Sequence, residues 1–137
     1  LLKILRVELK NEIKNKNWIV AIRDGSIFIS MPGDSVFLSG SAQLTTSVKK
    51  SINRMIGVFS EARGSIEIVG HTDDAPIFTA LFPSNWVLSS SRASSVASYL
   101  LLKSQIKRSR ISVVGRADTQ PVSKNREENR RIEIKLM

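Results

Sequence analysis

The stretch that decides the fold runs from Ser65 to Ala93. It reads Ser65-Ile66-Glu67-Ile68-Val69, then Gly70-His71-Thr72-Asp73-Asp74-Ala75-Pro76, and after a further loop Pro83-Ser84-Asn85-Trp86-Val87-Leu88-Ser89-Ser90-Ser91-Arg92-Ala93. Ser65 to Val69 is a short β-rich run that predicts a strand. Gly70 to Pro83 reads as a loop. Ser84 can accept hydrogen bonds from first-turn N–H groups and so opens a helix. In that helix Trp86, Ala93, Val96, Ala97, Leu100 and Leu101 fall broadly on one side, with Trp86 expected in the core. Arg92 flanks this stripe, so its charged head can reach the helix edge. The unit places acidic groups at the end of a strand and an arginine inside the helix that follows.

Working outward, Leu44, Val48, Ile52, Met55, Ile56 and Phe59 form an apolar face of helical period, with Thr45 and Thr46 as caps. They predict a helix from Thr45 to about Glu61. Trp18 to Arg23 and Ser26 to Met31 are β-rich runs joined by Asp24-Gly25, a two-residue hairpin signal. Pro32-Gly33-Asp34 breaks the second strand. Residues 1–16 carry Leu2, Leu5, Leu9 and Ile13 at helical spacing, a stripe that needs a partner on the domain or on another copy of itself. Downstream, Arg110 to Val114 reads as a strand. Arg131 to Leu136 alternates, with Ile132, Ile134 and Leu136 on one face and Glu133 and Lys135 on the other. The order predicts an α/β two-layer sandwich: a mixed sheet with helices on one face, plus an N-terminal helix. The expected division is a linker helix over 1–17 and one domain over 18–137.

At 137 residues and 42% apolar content, the chain can bury one core. It has no cysteine, which excludes a disulfide framework, a thiol nucleophile and cysteine-ligated zinc. No apolar run approaches the roughly 20 residues that span a bilayer, and no signal peptide is visible. Starting at Leu1, the chain reads as a fragment of a longer protein. Its net charge of +9 suits a polyanionic partner, or simply a basic surface. The basic residues from Lys103 to Lys135 are scattered, with no aromatic among them to stack on bases, which argues against single-stranded nucleic acid.

His71, Asp73 and Asp74 are the one cluster with metal-ligand side chains, and a single histidine without cysteine argues against zinc. There is no Gly-x-Ser-x-Gly elbow, no phosphate-binding loop and no Gly-x-Gly-x-x-Gly. Hydrolase and nucleotide chemistry therefore lack support. Asp73 with Arg92 admits two readings. One is an ion pair locking the loop to the helix. The other is a clasp holding a small zwitterion by both ends. Asn85 reads either as a first-turn residue satisfying the loop backbone or as part of that clasp. Arg130 and Arg131 point to opposite faces, so only one can join a given site.

Gly70-His71-Thr72-Asp73, Asn85, Leu88-Ser89, Arg92-Ala93 and Asn129-Arg130-Arg131-Ile132-Glu133-Ile134 resemble, in order, the successive motifs of the OmpA-like peptidoglycan-binding family. The longer loop before Phe82-Pro83-Ser84-Asn85-Trp86 is similar to the flagellar stator B-subunit branch (MotB/PomB type). The resemblance covers about residues 25–137. It implies non-catalytic binding of peptidoglycan through stem-peptide diaminopimelate, without cofactor or metal. Asp73 would take the ammonium and Arg92 the carboxylate, with Thr72, Asn85, Leu88 and Arg130 completing the site. It further implies a periplasmic, homodimeric part of an inner-membrane-anchored protein, joined to the stator A subunit through a transmembrane helix absent from this chain. Asn125 to Asn129 is shorter than the usual family connection. Alternatives are the wall anchor of another envelope complex or outer-membrane protein, and a basic nucleic-acid-binding domain.

Overall fold

The computed structural model describes residues 1–137. Two short helices, α1 (Leu2–Glu8) and α2 (Lys10–Asn15), lead into a hairpin of β1 (Ile19–Arg23) and β2 (Ser26–Pro32). A helical turn α3 (Gly33–Val36), the long helix α4 (Thr46–Glu61) and strand β3 (Ile66–His71) follow. Helix α5 (Asn85–Leu102) leads through a 3-10 turn at Arg108–Arg110 to β4 (Ile111–Gly115). The short α6 (Arg126–Asn129) and β5 (Arg131–Leu136) close the chain. The predicted hairpin forms with Arg23 paired to Ser26, and Asp24 and Gly25 both take positive φ, as a primed two-residue turn requires. Thr45 caps α4 by accepting from Val48 N, and Ser84 caps α5 by accepting from Val87 N.

The five strands form one mixed sheet in the order β1-β2-β5-β3-β4. All neighbours are antiparallel except β3 and β4, which are parallel and joined through α5, the crossover that a parallel pair needs. β5 sits in the centre although it comes last in the chain. Its Ile132, Ile134 and Leu136 pair in register with Met31, Ile29 and Ile27 on one side and with Gly70, Ile68 and Ile66 on the other. These residues face Val48, Ile52, Met55 and Phe59 of α4 and Ala93, Val96 and Leu100 of α5 in one core. A central strand buried on this face explains why the alternation of residues 131–136 was so clean.

Two expectations need correction and one is extended. Helix 1–16 is two helices, broken at Leu9. Pro32-Gly33-Asp34 ends β2 and also starts the helical turn α3. Trp86 is 54% exposed rather than core, and Leu88 and Ser89 take the buried positions at the start of α5.

The N-terminal stripe is docked on this same chain. Leu5 and Leu9 are fully buried against the α4 side of the core. Glu12 is also buried; its carboxylate accepts from Arg54 Nη2 at 2.8 Å and from Ser51 Oγ at 3.0 Å. Burial opposes ionisation of Glu12, yet the Arg54 and Ser51 hydrogen bonds prevail and lower its pKa.

Candidate ligand clasp at the end of the sheet

Pro32, Arg131 and His71 stand side by side in the last row of the sheet. The next residues therefore converge: Gly33 and Asp34 leaving β2, Thr72 and Asp73 leaving β3, and Arg130 entering β5. Gly33 fastens the group, since its N–H donates to Arg130 O at 2.7 Å and an added Cβ would lie 3.0 Å from that oxygen.

Helix α5 brings Arg92 to the same place because it lies very close to the sheet. A Cβ at Gly70 would sit 2.2 Å from Ser89 O, and one at Gly115 would sit 2.1 Å from Ser90 Oγ. No larger residue fits either position without moving the helix. Arg92 is 8% exposed. Its Nε donates to Ser41 O at 2.8 Å, and its guanidinium lies 4.8 Å from the centre of the Phe37 ring. Neither of its Nη groups has a partner in the chain. Burial lowers the pKa of Arg92, Asp34 opposes that, Arg130 adds to it and Asp73 opposes it. The group stays charged.

Asp73 is paired with Arg130, not with Arg92. Arg130 Nη1 donates to Asp73 Oδ2 at 2.7 Å. The other edge of the same guanidinium forks onto Asp34, Nε to Oδ1 and Nη2 to Oδ2, both at 2.9 Å. Asp73 Oδ1 accepts from Ala75 N at 2.9 Å and so shapes the loop that follows. The hydrogen bond from Arg130 holds the Asp34 carboxyl below the usual range against the effect of burial. The bonds to Asp34 and Asp73 raise Arg130 further. The cluster thus holds two carboxylates and two guanidiniums, with no net charge. One guanidinium bonds a carboxylate from each of its three nitrogens, and the other has both Nη groups unspent.

The remaining residues singled out from sequence take supporting positions. Thr72 is buried, and its Oγ1 donates to Asp73 O at 2.9 Å. Asn85 Nδ2 donates to Ala75 O at 3.1 Å, leaving its Oδ1 without a partner. Leu88 is buried beneath them in the first turns of α5. Arg131 points away, as adjacent strand residues must. Its Nε bonds Glu133 Oε2 at 2.9 Å, and His71 Nε2 lies 2.9 Å from Glu133 Oε1 on the same face. Burial opposes ionisation of Glu133, but the bonds from His71 and Arg131 outweigh it and hold the carboxyl at about 2.

Three members were not found from sequence: Asp34, Phe37 and Ser41. Asp34 looked like a turn residue after Pro32-Gly33. Its only signal was an acid immediately after a strand, the same position that made Asp73 conspicuous.

Asp73 and Thr72 also wall a cleft of about 390 Å³ bounded by Asp74, Asp118, Pro121, Ser123, Lys124, Arg126 and Asn129. The short connection before Asn129 still supplies a rim, because Arg126 Nε reaches Asp74 Oδ1 at 2.7 Å. A larger cavity of about 600 Å³ lies on the open sheet face around Phe28, Arg131 and Glu133, and touches none of the clasp residues.

The OmpA family matches residues 36–135, a span that takes in every member of this cluster except Asp34. The chain belongs to the OmpA family. Within that family it is close to the MotB type. Motility protein B of Bacillus subtilis (strain 168) is 30% identical over 143 residues, covering 98% of this chain and 51% of that protein. The uncharacterized protein YtxE of the same organism is 36% identical over 104 residues, 72% of this chain and 43% of that protein. The chain thus spans about half the length of the curated relatives it matches. The cell wall anchor of the T6SS from Pseudomonas aeruginosa superposes with a TM-score of 0.88 at 32% identity, covering 97% of this chain and 96% of that one. The mixed OmpA-like sheet expected from sequence is the observed fold, and the N-terminal helices lie within this superposed length.

Proposed function

We propose that this domain binds peptidoglycan non-covalently and anchors an envelope complex to the cell wall. One observation carries the reading: Arg92 is held at Nε by Ser41 while both its Nη groups are free beside two carboxylates. Burial has already removed much of its water in the folded domain, so a ligand carboxylate gains a strong two-bond fork there. The free end of stem-peptide diaminopimelate carries an ammonium and a carboxylate on one carbon, which suits a neutral cluster of two acids and two arginines. The carboxylate goes to Arg92. The ammonium goes to Asp73, where it shares or displaces the Arg130 contact; Asp34 keeps Arg130 compensated meanwhile. Each charge-assisted hydrogen bond contributes roughly 1.5–3 kcal/mol. Nothing in this arrangement requires a nucleophile, and the reading is of a binding module rather than an enzyme.

The similarity to Motility protein B supports a flagellar stator as the machine being anchored. In that setting the domain is periplasmic and dimeric, and acts beside a stator A subunit. Residues 1–17 then link the membrane to the wall-binding core. The similarity to the T6SS wall anchor, at comparable identity and nearly full coverage of both chains, favours a second reading in which the same clasp serves another envelope machine. Both share the wall-binding step. Co-sedimentation with purified sacculi tests it: wild type pellets, while Arg92→Ala and Asp73→Asn stay in solution with unchanged circular dichroism. Pelleting of both variants at wild-type levels would overturn the clasp.

A further inference from the structure

The segments that lead α4 into β3 and α5 into β4 meet at the end of the sheet opposite the clasp. Ile66 and Ile111 pair in the first row of the parallel strands, so the residues just before them lie side by side. Arg110 ties the two segments together: its Nε donates to Gly64 O at 2.9 Å and its Nη2 to Phe59 O at 3.0 Å. Residues 62–65 and 103–110 hold five cations, Arg63, Lys103, Lys107, Arg108 and Arg110, and no acid. Separated along the sequence, these cations are gathered by the fold at one pole. Arg63, Lys103, Lys107 and Arg108 are exposed, and none takes part in an ion pair. A cation beside a helix C-terminus answers the negative end of the helix dipole, which accounts for Arg63 after α4 and Lys103 after α5. Lys107 and Arg108 have no such role. They stand on the 3-10 turn that follows the buried Ile106 and meet no acid in the chain.

We propose that this basic pole docks on the surface of an anionic phospholipid bilayer. The inference rests on the reading of the clasp as a wall anchor, which sets which way the domain faces. The acids Asp34, Asp73, Asp74 and Asp118 gather at the clasp end. The six residues of β3 separate that end from the basic pole by about 20 Å. A domain holding the wall by the clasp therefore turns the basic pole away from the wall. The N-terminal helices point the same way. Lys16 meets Ser47, Glu12 meets Ser51, and Glu8 O meets Arg54, so the segment runs antiparallel to α4 and α1 starts towards the basic pole. In the proposed setting, the link to the membrane thus enters on this side. The chemistry suits lipid headgroups. Unpaired, exposed lysine and arginine side chains are attracted by a layer of phosphodiesters without needing a shaped pocket. Leu102, 77% exposed and next to Lys103, fits the boundary between headgroups and acyl chains. Neither cation-bearing segment has an aromatic residue to stack on bases, which disfavours single-stranded nucleic acid.

Flotation with vesicles of about 30% phosphatidylglycerol in phosphatidylcholine, and with vesicles of phosphatidylcholine alone, tests the proposal. Wild type should bind the charged vesicles and not the neutral ones. Raising salt from about 50 mM to about 300 mM should weaken that binding roughly fivefold or more, because screening shortens the reach of each charge. Lys107→Glu with Arg108→Glu should weaken it about tenfold or more, while co-sedimentation with sacculi, which also reports a folded domain, stays unchanged. Lys10→Glu with Lys14→Glu makes the same change of net charge on the exposed side of α2, away from the pole, and should cost less than about twofold. Equal losses in the two double variants would mean that net charge rather than the pole attracts the membrane, and overturn the proposal. Failure of wild type to bind the charged vesicles overturns it as well. Tighter binding of duplex DNA than of charged vesicles, lost in the Lys107/Arg108 variant, assigns the pole to nucleic acid instead. Arg92→Ala separates this inference from the clasp. If that variant still pellets with sacculi, the clasp reading fails, whereas binding of charged vesicles that depends on Lys107 and Arg108 still upholds the pole.

Discussion

Arg130 Nη1 holds Asp73 Oδ2 at 2.7 Å, while the rest of its guanidinium is clamped by Asp34. Within the clasp, then, the arginine before β5 satisfies the acid, and the arginine on the helix keeps both Nη groups without a partner in the chain. On the proposed reading, Arg130 occupies in the unliganded domain the place of the ammonium that Asp73 would receive. Removing Asp34 should leave Arg130 held by Asp73 alone and make it harder to displace. Asp34→Asn is therefore expected to weaken sacculus binding several-fold without abolishing it. Binding isotherms of wild type and variant check this, and an unchanged affinity would show that Asp34 only braces the turn.

Charge alone should not suffice at Arg92. Arg92→Lys keeps the positive charge but loses the fork, and a lysine cannot at once meet Ser41 O and a ligand carboxylate. Binding should fall at least tenfold, about 1.4 kcal/mol, with little change in melting temperature. Retained affinity in Arg92→Lys would mean that the group acts as a point charge.

The approach of α5 to the sheet depends on Gly70. Gly70→Ala places a methyl group 2.2 Å from Ser89 O, backbone that cannot rotate aside. The helix must shift, at a cost of about 1–3 kcal/mol, and Arg92 moves with it. Chemical denaturation and sacculus binding should both register the change. A variant of wild-type stability and affinity would mean that α5 does not need its close seat.

Glu133 makes the fold acid-sensitive. Its carboxyl is depressed from 4.5 to about 2 by bonds from His71 and Arg131 that outweigh burial. A group depressed on folding contributes its stability in full above the unfolded value and loses it as pH falls through the folded one. The contribution, roughly 3 kcal/mol, should be complete above pH 4.5 and drain away towards pH 2. Glu133→Gln should melt well below wild type at pH 6, and the gap should close on acidification. Parallel melting curves at every pH would exclude this source of stability.

The N-terminal segment should behave as part of the domain. Leu5 and Leu9 are fully buried, so Leu5→Asp with Leu9→Asp forces unpaired charge into the core or releases the segment into water. Amide exchange over residues 1–16 should be slow in wild type and fast in the double variant, with sacculus binding preserved. Fast exchange in both would show that the segment is undocked in solution and serves only as a linker.

Local chemistry was enough to place most elements. Caps at Thr45 and Ser84, the Asp24-Gly25 turn and the alternation of Ile132, Ile134 and Leu136 are each written within a few residues, because hydrogen-bond geometry and side-chain period act at that range. Residue chemistry singled out Asp73, Asn85 and Arg92, whereas Leu88 and Arg130 entered the expected site only through the family resemblance. Trp86 was misread because helical period says which residues share a side, not how far along the helix the sheet extends. Residue pairing across the chain was not legible. Arg130 lies 57 residues from Asp73 and 96 from Asp34, and they meet only because the last strand inserts between β2 and β3. Sequence determined which charged groups this protein carries at its strand and helix ends. The tertiary structure alone decided which of them neutralise each other, because an ion pair depends on distance through space and that distance is set by the order of strands in the sheet.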